Sequence, residues 1–92
     1  MEFVYPAIFV KESGGTYSVS FPEIEGCVAY GRNYEDAVKN AEDSLQIALT
    51  LIAMENNGKI PESNPYESIY NFPEYDFENR YEIVMISCDI DF

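Results

Sequence analysis

Carboxylates, tyrosines and two thiols are the groups with which this chain could do chemistry, because it contains no histidine. Asp89 and Asp91 sit as neighbours on one face of a strand and could hold a divalent cation for phosphodiester cleavage. Two-metal cleavage needs several carboxylates converging on ions about 4 Å apart, and the first strand, Phe3 to Val10, contributes no acid. The competing reading of the pair is solvated strand-end acids. Cys27 follows a glycine turn, but a nucleophilic thiol needs a lowered pKa, and Glu23 and Glu25 beside it would raise it. Cys27 and Cys88 read as small buried strand residues, too few for a disulfide scaffold. Without histidine they offer no zinc site. Gly14 and Gly15 belong to a hairpin and do not open a helix, so no phosphate-cradling loop is present. These residues argue for no enzyme, no metal and no cofactor.

Charge is the more informative chemistry. Seventeen acids against five bases leave a net charge of −12, which repels phosphate backbones and anionic membranes. The chain therefore should not bind DNA or a membrane surface, and should favour a basic partner. Candidate contacts are Glu23 and Glu25 on the turn after the second strand, Tyr30 on the third strand, and Glu74, Asp76 and Glu78 in a long acidic loop. For each acid the alternative is a solvated surface charge. Tyr30 could simply pack, although aromatics are also common interface anchors. Met1 to Pro6 lacks a basic region and a long apolar run, so no signal peptide is expected. No apolar stretch approaches the ~20 residues that span a bilayer. A cytoplasmic protein is expected.

Ninety-two residues make one domain, and 47% hydrophobic content supports a core. Phe3 to Val10 is apolar on both alternating faces, which suits a central strand, with Pro6 limiting pairing at its own position. Lys11 to Gly15 forms a hairpin loop. Thr16 to Phe21 alternates, with Tyr17, Val19 and Phe21 inward. Pro22 and Gly26 bracket a turn, and Cys27 to Gly31 is a third strand. Asn33 is a helix N-cap that can accept from the Asp36 amide. The helix should run from Tyr34 to Asn57 and stop at Gly58 as its C′ residue. Val38, Ala41, Leu45, Ala48, Leu49 and Ile52 form its core stripe. Ile47, Leu51 and Met54 lie roughly opposite and call for a partner or, as the first expectation, for cover by the long loop.

That loop spans residues 59–79, carries three prolines together with Tyr66, Ile69, Tyr70, Phe72, Tyr75 and Phe77, and should pack as an ordered excursion with a helical turn near Glu67 to Tyr70. Arg80 to Ile90 is the fourth strand. The order β-β-β-α-β gives an α+β domain: a four-stranded mixed sheet ordered 3-2-1-4 with one long helix on one face. A right-handed crossover would return the fourth strand parallel to the first. This is half of a ribonuclease H sheet. One helix covers only one side of the doubly apolar first strand, so the other side must be closed by the aromatic loop or by a second copy, and a homodimer is expected.

Tyr5-Pro6-Ala7, the Gly15-x-Tyr17-x-Val19-x-Phe21-Pro22 arm, Gly26-Cys27, and Glu35-Asp36-Ala37 running into Asn40-Ala41 occur in order with family-like spacing. In this respect the chain resembles the N-terminal domain of the HicB antitoxin family, from residue 3 to about 65 in register and more weakly through the last strand. The resemblance implies a partial ribonuclease H fold that binds and blocks HicA, a small basic mRNA-cleaving ribonuclease. It also implies that the C-terminal DNA-binding domain usual in the family is missing from residues 1–92, so these residues should not themselves bind the promoter. Two other readings stay open: an orphan self-assembling scaffold with no toxin, and a residual nuclease using Asp89 and Asp91.

Overall fold

The computed structural model of the chain describes residues 1–63, 75–76 and 81–90. Along it run β1 (Glu2–Lys11), β2 (Tyr17–Ser20), β3 (Val28–Gly31), α1 (Tyr34–Glu55), β4 (Tyr75–Asp76) and β5 (Tyr81–Asp89). The strands form one sheet in the order β3-β2-β1-β5-β4. The four strands expected from the sequence are therefore present in their expected order, and β4 adds a two-residue edge beside β5. The helical turn expected near Glu67 lies outside the described residues.

Strand direction differs from the expectation. Every pairing is antiparallel, so the sheet is not mixed, and β5 runs against β1. Lys11 and Gly31 both pair with Tyr17 and mark one end of the sheet. From there α1 carries the chain to the other end, where Ala53 and Gly58 line a cleft with Asp89 and Ile90. Yet β5 begins opposite Val10, back at the first end. The chain therefore re-enters the sheet at the end opposite to the one at which α1 finishes, which makes β5 antiparallel to β1 where a direct crossover from α1 would have made it parallel.

The face of the sheet carrying Tyr5, Ala7, Phe9, Val19, Ala29 and Ile86 packs against Ala37, Ala41, Leu45, Leu49 and Ala53 of α1. Those helix positions recur every four residues, which keeps them on one side of a 3.6-residue turn. Burying each leucine contributes about 1.5–3 kcal/mol. Val38, Ala48 and Ile52 border this core and are half-buried.

Local chemistry fixes both helix ends. Asn33 Oδ1 accepts from the Asp36 N–H at 2.9 Å, and the Asp36 carboxylate accepts from the Arg32 N–H at 3.0 Å. The first bond satisfies one of the amides a helix start leaves unpaired, and the second pins the residue that precedes the cap to the first turn. At the other end Asn57 (φ 56°), not Gly58, takes the left-handed C′ position. Gly58 follows it and donates to the Ala53 carbonyl at 2.7 Å, closing a Schellman turn. The helix therefore ends at Glu55, two residues before the expected limit. Gly31 makes the passage from β3 into α1 possible: a Cβ there would lie 2.2 Å from the Ala37 nitrogen.

Candidate functional site

The turn between β2 and β3 is held by three backbone bonds and by its own apolar side chains. Ile24 N–H donates to the Phe21 carbonyl at 3.1 Å, Cys27 N–H to Ile24 at 3.2 Å, and Phe21 N–H to Cys27 at 3.2 Å. Phe21, Ile24 and Cys27 are buried, so the residues between them are left to face outward. The two turn acids then have different roles. Glu23 is half-buried and accepts from the Ser63 hydroxyl at 2.8 Å, while nearby the Tyr5 hydroxyl donates to the Pro61 carbonyl. Burial first, and then the Glu23 carboxylate, push the Tyr5 pKa upward. Glu23 thus clasps the chain leaving α1. Glu25 is exposed.

Glu25 borders a groove of about 430 Å³ between this turn and α1. Ile24 and Cys27 are buried at its base, and Val28, Ile47 and Leu51 stand exposed along it. The charged side chains lining it are Glu25 and Glu55, both acids. Ile47 is 62% exposed and Leu51 55% exposed, so residues 59–63 of the long loop leave them uncovered, and most of the remainder of that loop lies outside the described residues. The Tyr5–Pro61 and Ser63–Glu23 bonds tie residues 61–63 to the sheet and the turn. Met54 lines a separate cleft with Asp89 and Ile90, so the second stripe does not form one surface.

The face of the sheet opposite α1 is the other apolar surface. Register places Pro6, Ile8 and Val10 of β1 on it, beside Met85 and Ile83 of β5 and Ser18 and Ser20 of β2. Met85 is 48% exposed and Tyr30 66% exposed, and Val4 is exposed too. Tyr30 alternates with buried Ala29 on edge strand β3 and so faces this side. Its carbonyl accepts from the Asn40 side-chain amide at 2.6 Å, which occupies one backbone group of an edge that could otherwise pair with another chain.

Among the described residues, those proposed from the sequence do not converge. Glu25 lies at the helix-side groove, and Tyr30 on the opposite sheet face. Asp76 is in β4, at the far edge of the sheet. Glu74 and Glu78 lie outside the described residues. The groove itself escaped sequence reasoning: periodicity marks Ile47 and Leu51 as outward, but only tertiary placement brings Ile24 and Val28 beside them.

The thiols and strand-end acids show what surrounds them. Burial raises the Cys27 pKa, with Cys88 adding to it, so the direction is as expected but the cause is not Glu23 and Glu25. Burial likewise raises Cys88, followed by Asp89 and Glu42. Asp89 Oδ1 sits 3.0 Å from the Met1 ammonium, and Asp91 is outside the described residues. Among the described residues no three His, Cys, Asp or Glu side chains form a metal-binding group. No helix among them is long and apolar enough to cross a membrane.

The sequence model of the "HicB_like antitoxin of bacterial toxin-antitoxin system" matches residues 5–92. The chain belongs to this HicB-like antitoxin family. It is 33% identical over 72 residues to a 14.9 kDa protein from the rep-hol intergenic region of Haemophilus phage HP1, covering 78% of this chain and 53% of the phage protein. The HicB-like chain thus spans about half the length of the curated relative it matches. The fold is shared with the N-terminal domain of the Burkholderia pseudomallei antitoxin HicB (TM-score 0.65, 24% identity, all of both chains covered). It is shared as well with a chain of a HicA3 and HicB3 toxin-antitoxin complex (TM-score 0.67, 23% identity, 96% of this chain and 100% of that one).

Proposed function

We propose that this HicB-like domain binds a small basic mRNA-cleaving ribonuclease of the HicA type and neutralises it by covering its active site and RNA groove, in the cytoplasm and without catalysis of its own. The observation that carries this reading is membership of the family together with a charge of −12. A toxin that grips RNA must present a cationic groove, and an acidic chain competes for it. Complementary charge raises association from a neutral 10⁵–10⁶ toward about 10⁸ M⁻¹s⁻¹ at low salt. The solved structure of a HicA3–HicB3 complex supports a partner of this kind.

Glu25, at the groove beside α1, and Tyr30, on the opposite sheet face, are exposed and are separate candidate contacts. Glu74, Asp76 and Glu78 remain candidate contacts by their charge alone, whereas Glu23 contributes through its hold on Ser63. A homodimer closing the sheet face around Met85 accounts for that apolar surface, and promoter DNA is not a ligand of these residues. Co-expression with candidate HicA-type ribonucleases from the same genome tests the proposal. A stoichiometric complex surviving gel filtration is expected, and separate elution would refute it. Light scattering at micromolar concentration should return a dimer mass, and a monomer mass would remove the homodimer.

A further inference from the structure

The groove between α1 and the β2–β3 turn is the most partner-like surface the chain presents, and three observations bear on its occupant. It is apolar and open: Ile47, Leu51 and Val28 are exposed along it over a base that includes buried Ile24. Its charged lining is acidic on both sides, with Glu25 on the turn and Glu55 on the helix. The neighbouring edge strand is closed to strand addition at Tyr30, whose carbonyl is already bonded by Asn40. That bond removes one backbone acceptor from the edge, so side chains along the groove offer the larger share of contacts to a partner seated here. Ile47 to Glu55 covers about 12 Å of helix at 1.5 Å per residue, room for two turns of an amphipathic segment.

We infer that this groove is the docking site for the basic ribonuclease, taking an apolar-and-basic segment whose hydrophobic residues sit on Ile47 and Leu51 while its Lys or Arg side chains pair with Glu25 and Glu55. This rests on the proposed function and adds the surface. Charge selects the occupant: a second copy of this chain would bring further acids against Glu25 and Glu55, a like-charge juxtaposition that disfavours it. An apolar anchor inside an acidic rim follows the arrangement of interfaces in which a few central side chains carry most of the affinity.

The test uses a purified HicA-type ribonuclease that the wild-type chain is first screened to bind, with binding to Leu51→Arg, Glu25→Lys and Met85→Arg variants measured by surface plasmon resonance. All three positions are exposed, and circular dichroism confirms that each variant is folded. Leu51→Arg should weaken Kd about 30-fold, or about 2 kcal/mol at 1.4 kcal/mol per tenfold. Glu25→Lys should slow association in 50 mM NaCl, with the difference shrinking at 500 mM as screening shortens its reach. Met85→Arg, on the far sheet face, should stay within threefold. Leu51→Arg binding within threefold of wild type overturns the groove while leaving the proposed function standing, and Met85→Arg then shows whether the sheet face docks the toxin. If Leu51→Arg turns a dimer into a monomer with unchanged toxin binding, the groove seats a second copy and the inference fails. No binding by wild type overturns both.

Discussion

Gly31→Ala should be among the most damaging single-methyl additions in the chain. The added Cβ would lie 2.2 Å from the Ala37 nitrogen, 2.4 Å from its Cα and 2.7 Å from its Cβ. Carbon–carbon contacts are comfortable near 3.5–4.0 Å, so the helix start would have to move by about 1 Å. Nothing flexible lies in the way to give: two of the three atoms are backbone. Overpacking of this kind costs about 1–3 kcal/mol and at times more. The displacement would also strain the Asn33–Asp36 cap, itself worth about 1 kcal/mol. Together these suggest a loss of about 2–4 kcal/mol, read from urea denaturation followed by far-ultraviolet circular dichroism. Gly26→Ala is the comparison, because its Cβ would meet nothing within 4 Å but its φ of +77° is left-handed, a strain of about 1–2 kcal/mol. Ala37→Gly should not rescue Gly31→Ala, since it removes only the 2.7 Å contact and leaves the backbone clash. A loss below 1 kcal/mol, or recovery in the double variant, would refute the close approach of β3 to α1.

Leu45 is fully buried between helix and sheet, so Leu45→Ala should destabilise by about 2–5 kcal/mol; a loss under about 0.5 kcal/mol in the same assay would place it outside the core. The Arg32 backbone N–H, more than the Arg32 side chain, holds the Asp36 carboxyl below its ordinary 3.8. A depressed carboxylate stabilises the fold above the unfolded value and loses that contribution as pH falls through the folded one. An NMR titration should therefore place the Asp36 midpoint below 3.8, with the helix start weakening only in that acid range; a midpoint at or above 3.8 would contradict the bond to Arg32. Cys27 and Cys88 both have raised pKa values, so a disulfide reagent at pH 7.5 should label them slowly in the native protein and quickly in urea. Native labelling as fast as that of a free thiol would show the thiols to be unprotected.

Much of the fold could be read locally. Alternation at Tyr17, Val19 and Phe21, doubly apolar spacing through Phe3 to Val10, and Asn33 followed by Glu35 and Asp36 each carry their structural consequence within a few residues. The direction of β5 could not be read this way, because no side chain in Tyr81 to Asp89 encodes which end of the sheet the chain returns to. That choice depends on how the connection after α1 travels. Gly31 illustrates the same limit: nothing in Ala-Tyr-Gly-Arg announces that Ala37 will stand 2.2 Å from its absent Cβ. Acidity was legible at Glu23 and Glu25, but their division into a clasp on Ser63 and an open groove rim follows from the placement of residues 61–63. Asn57 taking the left-handed position ahead of Gly58 is a smaller case, since both residues tolerate positive φ.

The central claim is that this acidic domain silences a basic ribonuclease by occupying it. Its most direct test is cleavage of a labelled mRNA by a purified HicA-type ribonuclease from the same genome, titrated with residues 1–92 in a series of NaCl concentrations. The account predicts that cleavage falls in proportion to added chain and stops near stoichiometric equivalence, with slower onset of inhibition at higher NaCl. Cleavage that continues unchanged at a large molar excess of the chain would contradict it.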